Sequence, residues 1–259
     1  MILSGDYMRG NFDEGVLKLD LSSWREFSRL VTGRTFSTSQ VIWRGQRVAE
    51  WLLESTWGRT LKKLDIDGLL PYRHFKYAGR GRGRENPEIM ESDDDWWASG
   101  QHYGSVTPLL EWTASPFTAA YFAFCKDSDE QDQRAIYSFA LRTAKVINSK
   151  LKIKNPGIHE DNLLVRFINP AFDNHSGLIK SRGLFTKSPT GVDIEQWVRK
   201  NVSLVDDKEI VLVKLTLPNS ERTKILKALN RMNINQARLF PDQQQALNYK
   251  KRRLMLIKR

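Results

Sequence analysis

Arg44 ends the apolar run Val41-Ile-Trp, and a guanidinium half buried among such neighbours needs an anionic partner. Its planar fork suits a phosphate or a carboxylate. Gly45 removes the side chain just beside it, which would let a ligand come close, and Gln46 follows. A salt bridge between two internal elements is an equal reading of the same arginine. A second polar group begins at Gln101-His102-Tyr103-Gly104 and continues in Leu110-Glu111-Trp112-Thr113-Ala114-Ser115. Glu111, Thr113 and Ser115 share parity. On a strand running to Ser115, one carboxylate and two hydroxyls would face the same way at the start of an apolar helix. The plainer reading makes Ser115 a helix cap and Thr113 a strand former.

Other chemistries find little support. The chain has no Gly-x-x-x-x-Gly-Lys-Ser/Thr loop, no Gly-x-Gly-x-x-Gly fingerprint, and no His-x-x-x-His, Gly-x-Ser-x-Gly or Cys-x-x-Cys. His74, His102, His159 and His175 are scattered, so no metal is expected. Cys125 is the sole cysteine and sits in an apolar stretch, which reads as core rather than nucleophile and points to a reducing compartment. The acidic run Glu91-Ser-Asp-Asp-Asp95 reads as a helix N-terminus opposing the macrodipole rather than as a metal site. No signal peptide and no membrane-length apolar run are evident, so a cytoplasmic protein with no membrane partner is expected. The 41 Lys and Arg outnumber 30 Asp and Glu, giving a net charge of +11. Such a charge steers polyanions. Together with the basic loop Arg80-Gly-Arg82-Gly-Arg84, it suggests a nucleotide or nucleic acid as partner.

These residues need elements to hold them. Ser23-Trp-Arg-Glu26 fits a capping box opening a helix whose Trp24, Phe27 and Leu30 or Val31 share a face, ending near Gly33. Val41 to Arg44 predicts a buried strand that stops at Gly45, with Val48 to Leu53, Trp51 and Trp57 packing against it. Leu109–Thr113 predicts another strand. Ser115-Pro116 predicts a helix start, and Phe117–Cys125 a buried helix. Ala135–Leu141 and Ile210–Leu217 read as strands, the latter with Val211, Val213, Leu215 and Leu217 on one face. Ser220 is expected to cap a helix to Asn230, and Pro241 to open a last one. The whole reads as α+β, a single domain with a mixed sheet and surrounding helices, over residues 20–259 after an N-terminal extension, 1–19. The stretches 79–95 and 171–192 read as long loops.

At these residues the sequence resembles the FRG domain family. Trp24-Arg-Glu-Phe27, Ile42-Trp-Arg-Gly-Gln46, Trp51 to Arg59, Gln101-His-Tyr-Gly104, Leu109 to Ala123, Gly183-Leu-Phe-Thr186 and Leu239-Phe-Pro-Asp242 carry the resemblance. More distantly, the layout is similar to ADP-ribosyltransferases. That likeness implies an ADP-ribosyltransferase-like fold and NAD as substrate. Arg44 would hold a phosphate or ribose, Thr113-Ala-Ser115 would shape the nicotinamide pocket, and His102 and Tyr103 would lie near the nicotinamide ribose. Gly45, Gln46, Gln101 and Tyr121 would complete the binding wall. The catalytic acid is left open among Glu111, Glu195 and Asp242. The resemblance implies a toxin-like or phage-defence effector, with an antitoxin or chaperone protein as partner by analogy, and the basic charge and the Arg80–Arg84 loop favour nucleic acid, RNA first, as its acceptor. Two other readings stand beside it: a metal-independent nuclease using His102 and Glu111, and a non-catalytic module that only binds nucleotide or nucleic acid.

Overall fold

The computed structural model describes residues 10–37, 40–64, 92–102, 105–126, 132–169 and 184–240. Strands occur at β1 (Asn11–Asp13), β2 (Val16–Asp20), β3 (Val41–Gln46), β4 (Leu109–Trp112), β5 (Gln133–Ala140), β6 (Arg166–Ile168), β7 (Leu184–Lys187) and β8 (Leu212–Pro218). The larger helices are Trp24–Thr32, Thr56–Leu64, Asp93–His102, Pro116–Phe124, Leu141–Lys154, Ile194–Asn201 and Arg222–Arg231. The class is α+β, as its mixture of patterns predicts. A five-stranded sheet runs β1-β2-β8-β5-β3, and a three-stranded sheet runs β4-β7-β6. The larger sheet is mixed, because β2 and β8 are parallel while its other pairs are antiparallel. Its β1 and β2 come from residues 11–20, so the sheet starts upstream of residue 20.

Each face of the larger sheet buries its own core. On one side Leu17, Leu19, Trp43, Ile136, Val213, Leu215 and Leu217 meet the helices Trp24–Thr32, Pro116–Phe124 and Arg222–Arg231. On the other, Ile42, Ala135, Tyr137, Phe139 and Leu212 meet Leu141–Lys154, Ile194–Asn201, and Leu110 and Trp112 of the second sheet. Val211, expected beside Val213, belongs to this second side. Among the described residues no helix is long and apolar enough to cross a membrane.

Local signals placed most helix ends. Ser23 Oγ accepts from the Glu26 amide at 3.3 Å, and Phe27, Leu30 and Val31 are buried behind it. The reciprocal half of the box is shifted, since the Glu26 carboxylate takes the Ser22 amide at 2.9 Å. Asp93, Asp94 and Asp95 occupy the first turn of Asp93–His102, where carboxylates oppose the dipole. Ser220 does not cap the helix after β8. It lies inside a short 3-10 turn, Asn219–Glu221, and the helix begins at Arg222 with no side-chain cap. The neighbouring Glu221 instead caps a distant helix, accepting from the Trp24 amide at 3.1 Å. The Arg80–Arg84 loop, the helix start at Pro241 and residues 170–183 lie outside the described residues.

β3 does not stop at Gly45 but runs on to Gln46. Its ladder with β5 continues through the Gly45–Ile136 and Gln46–Ala135 pairs. The need for glycine inside it is steric. A Cβ at Gly45 would lie 1.9 Å from the Ala119 carbonyl oxygen and 2.6 Å from the Ala123 amide nitrogen. Ala119 and Ala123, one turn apart, are small enough to let the Pro116–Phe124 helix lie backbone-on against the strand. The close approach expected of a ligand is made by this helix. Gly45→Ala should therefore cost about 3 kcal/mol or more, at the upper end for overpacking. Urea denaturation, with circular dichroism of the native state, should show the lowered midpoint, and a midpoint equal to the wild type's would contradict this packing.

Candidate functional site

Alternation along β3 sends Trp43 and Gly45 toward the helix, and Ile42, Arg44 and Gln46 toward the opposite face. There Arg44 is in register with Tyr137 and Gln46 with Ala135. The other edge of β3 touches β4 at one bridge. The Trp43 amide donates to the Thr113 carbonyl at 2.7 Å, and the Thr113 amide to the Trp43 carbonyl at 2.8 Å. A continued antiparallel ladder would next bond Gly45 with Glu111. The strands part instead, and Arg44 Nη1 donates to the Glu111 carbonyl at 2.8 Å. The arginine takes the place of a ladder bond and holds the strands at a side chain's distance.

The gap is a cavity of about 320 Å³. Six residues singled out from the sequence line it: Arg44, Gly45, Gln46, Gln101, Glu111 and Thr113. Ser115 and Tyr121 do not. Ser115 Oγ accepts from the Thr118 amide at 3.2 Å as the helix cap, and its own amide donates to Thr113 Oγ1 at 3.2 Å. Tyr121 packs edge-on against Phe122 in the helix-side core. Glu195 is ion-paired to Lys18 at 2.8 Å and Arg199 at 3.1 Å, away from the cavity wall. Tyr103, Arg80, Arg82, Arg84 and Asp242 lie outside the described residues. Of His102 only its place at the end of Asp93–His102 is described.

Sequence reasoning missed Arg47, Trp51, Arg59 and Lys126, which share the wall. Trp51, expected to pack inside, is 37% exposed, with Arg47 Cζ 5.1 Å and Arg59 Cζ 5.6 Å from its ring centre. Its carbonyl accepts from Gln46 Nε2 at 3.0 Å. Arg59 Nη1 donates to the Glu54 carbonyl at 2.6 Å. The fully buried Arg134 donates to the Arg47 carbonyl at 2.7 Å and to Asn219 Oδ1 through Nε and Nη2. On the far side, Trp112 Nε1 donates to Thr186 Oγ1 at 2.8 Å and anchors β4 to β7. The one available signal for these residues was the Trp51-to-Arg59 spacing.

Among the described residues the wall is strongly positive, with Arg44, Arg47, Arg59 and Lys126 against the single carboxylate of Glu111. None of the four cations is ion-paired with a carboxylate among the described residues. Burial pushes the Arg44 guanidinium down to about 10; Arg59 adds to the drop and Glu111 opposes it. Burial likewise lowers Arg59, with Glu54 opposing. Burial raises the Glu111 carboxyl above its ordinary value, with Arg44 pulling it back. Arg44 Nε and Gln46 Oε1 are buried without a hydrogen-bond partner. A larger cavity of about 640 Å³ lies across the Glu54–Gly58 segment, but its cations are committed. Arg166 is bonded to Asp94 and, at 3.1 Å, to Asp161, and Lys187 to Asp161 at 2.9 Å.

Residues 39–132 match the family model of the FRG domain. That span carries the FRG domain. All the residues of the positive cavity fall inside the matched span, whereas Asp161, Arg166 and Lys187 of the larger one fall outside it. Among curated proteins and among solved structures, nothing matches this chain.

Cys125, the only cysteine, lines the FRG cavity, and burial raises its thiol above the ordinary value. Thiolate formation, and with it modification by a thiol reagent, should therefore stay slow at neutral pH and rise only in alkaline solution. A phosphate-bearing ligand such as ADP seated in the cavity should slow it further. Modification rates followed by mass spectrometry with and without ADP check this, and unchanged rates would argue against occupancy at this wall.

Proposed function

We propose that the FRG cavity binds NAD and that the chain is an NAD-dependent ADP-ribosyltransferase with nucleic acid, RNA first, as acceptor. The observation that carries this reading is the grouping of Arg44, Arg47, Arg59 and Lys126 around one carboxylate in a single open cavity. The residues fit the ligand: a pyrophosphate supplies the anion these cations lack, and a guanidinium fork takes two oxygens at once. Of the two described acids left open by the sequence, Glu111 and Glu195, Glu111 is the one in this wall. The transfer breaks the bond between the ribose carbon and the nicotinamide nitrogen, whose ring keeps the electron pair. The acceptor forms the new bond and releases a proton. The Glu111 carboxylate stands against the positive charge that builds on the sugar, help typically worth about 3 kcal/mol. For the acceptor, the support is electrostatic. The net charge is +11, and Leu141–Lys154 carries Arg142, Lys145, Lys150, Lys152 and Lys154 with no acid.

Calorimetry should detect NAD binding to the wild type, weakened about 10- to 100-fold in a folded Arg44→Ala variant by loss of a charge-assisted contact. Labelled NAD incubated with single-stranded RNA should mark the RNA. Binding without any labelling of RNA, DNA or lysate would leave a binding module in place of the enzyme.

The pH profile follows from Glu111. A carboxyl held above its ordinary value takes up its proton at higher pH. Activity that needs the carboxylate should fall on acidification through that raised value, earlier than an ordinary glutamate would impose. Glu111→Gln should remove this limb and lower turnover by about 10²- to 10³-fold. Because the folded value exceeds the unfolded one, ionised Glu111 costs stability at neutral pH, so the same variant should not melt lower.

A further inference from the structure

The FRG cavity holds more fixed positive charge than one phosphate requires. Arg44 is recessed, tied to the Glu111 carbonyl, while Arg47 and Arg59 stand at the partly exposed Trp51 ring. Guanidiniums repel one another, and Arg59 already depresses Arg44. No ion pair offsets that repulsion, since none of the three is paired with a carboxylate among the described residues. Yet each is built in. The Arg47 carbonyl is held by buried Arg134, Arg59 by the Glu54 carbonyl, and the Trp51 carbonyl by the nine-tenths-buried Gln46. The Gln46 amide oxygen on the same wall has no partner of its own.

We infer that Trp51, with Arg47 and Arg59, forms a second anion seat beside Arg44, so that the cavity selects nucleoside diphosphates over monophosphates. The indole face stabilises cations set against it and keeps two guanidiniums from swinging to solvent. A diphosphate places one anionic group at Arg44 and the next at the Trp51-held pair, whereas a monophosphate satisfies one seat. Guanidinium contacts to phosphate are charge-assisted, so filling the second seat should show as a large difference in affinity. The inference rests on the reading of this cavity as the NAD site and specifies how the pyrophosphate would be held. Trp51 would be a positioning residue, acting through its two arginines.

The test is titration calorimetry of ADP, AMP and NAD at one pH and ionic strength. It uses the full chain, Trp51→Ala, and Arg47→Met, which leaves the indole in place. The wild type should bind ADP at least about tenfold more tightly than AMP. Both variants should lose most of that ratio, ADP affinity falling much further than AMP affinity, because Arg44 is untouched in each. Equal wild-type affinities for ADP and AMP, with NAD still bound, would overturn the second seat and leave the NAD reading standing. A ratio preserved in both variants would assign the preference to other residues and overturn the role of Trp51. Failure of the wild type to bind NAD or ADP would remove both readings together.

Discussion

The backbone-to-backbone approach of the Pro116–Phe124 helix to β3 at Gly45 is the constraint on which the rest depends. With 1.9 Å between a hypothetical Cβ and the Ala119 carbonyl, the strand and helix cannot sit this way with any other residue there. That contact places the helix, and the helix start places Ser115 as cap and Thr113 as the point where β4 touches β3. Trp43, on the same face as Gly45, is buried against Phe36 and the helix core by the same approach. Beyond the bridge the strands separate, and on the β4 side Arg44 and Gln46, of opposite parity, are left lining a gap. The cavity is a consequence of how one glycine lets a helix seat itself on an edge strand.

Its charge sets the cavity apart from the rest of the protein. Several partly buried ions elsewhere are paired: Arg166 and Lys187 share Asp161, and Arg199 joins Glu195 and Asp13. In the cavity, burial works against Arg44 and Arg59, and among the described residues no carboxylate offsets it at ion-pair distance. At about 10, Arg44 still carries its proton at neutral pH, so the repulsion is present in the folded protein. Desolvated charge of one sign lowers stability unless something compensates it. A site that must attract a phosphate ester has reason to keep that arrangement, since an internal carboxylate at every arginine would compete with the ligand. Violations of local economy of this kind tend to gather where a fold does its work.

Much of the architecture was legible residue by residue. Ser23 and Ser115 announced their helices, the carboxylates of Asp93 to Asp95 marked a first turn, and the alternation of Val213, Leu215 and Leu217 set the inward face of β8. Those signals are short-range. A cap is decided within four residues and a strand face by period two. The same reasoning failed at Ser220, whose neighbour Glu221 is drawn away to the Trp24 amide, a partner 197 positions distant. It failed at Trp51 as well, since a large aromatic residue in an apolar stretch gives no local sign that two arginines will hold it at a rim.

By itself the sequence determined the elements and the chemical types available, because these follow from propensity, capping and parity; only the family resemblance put Arg44 and the segment around Glu111 in one site. Only the tertiary structure decided which side chains share one void. It brought Arg47, Arg59 and Lys126 to Arg44 and gave the space beside Gly45 to a helix. The reason is the single bridge between Trp43 and Thr113, after which β3 and β4 diverge. A contact between positions so far apart in the chain leaves no periodic trace in either segment, and the cavity exists only once both are in place.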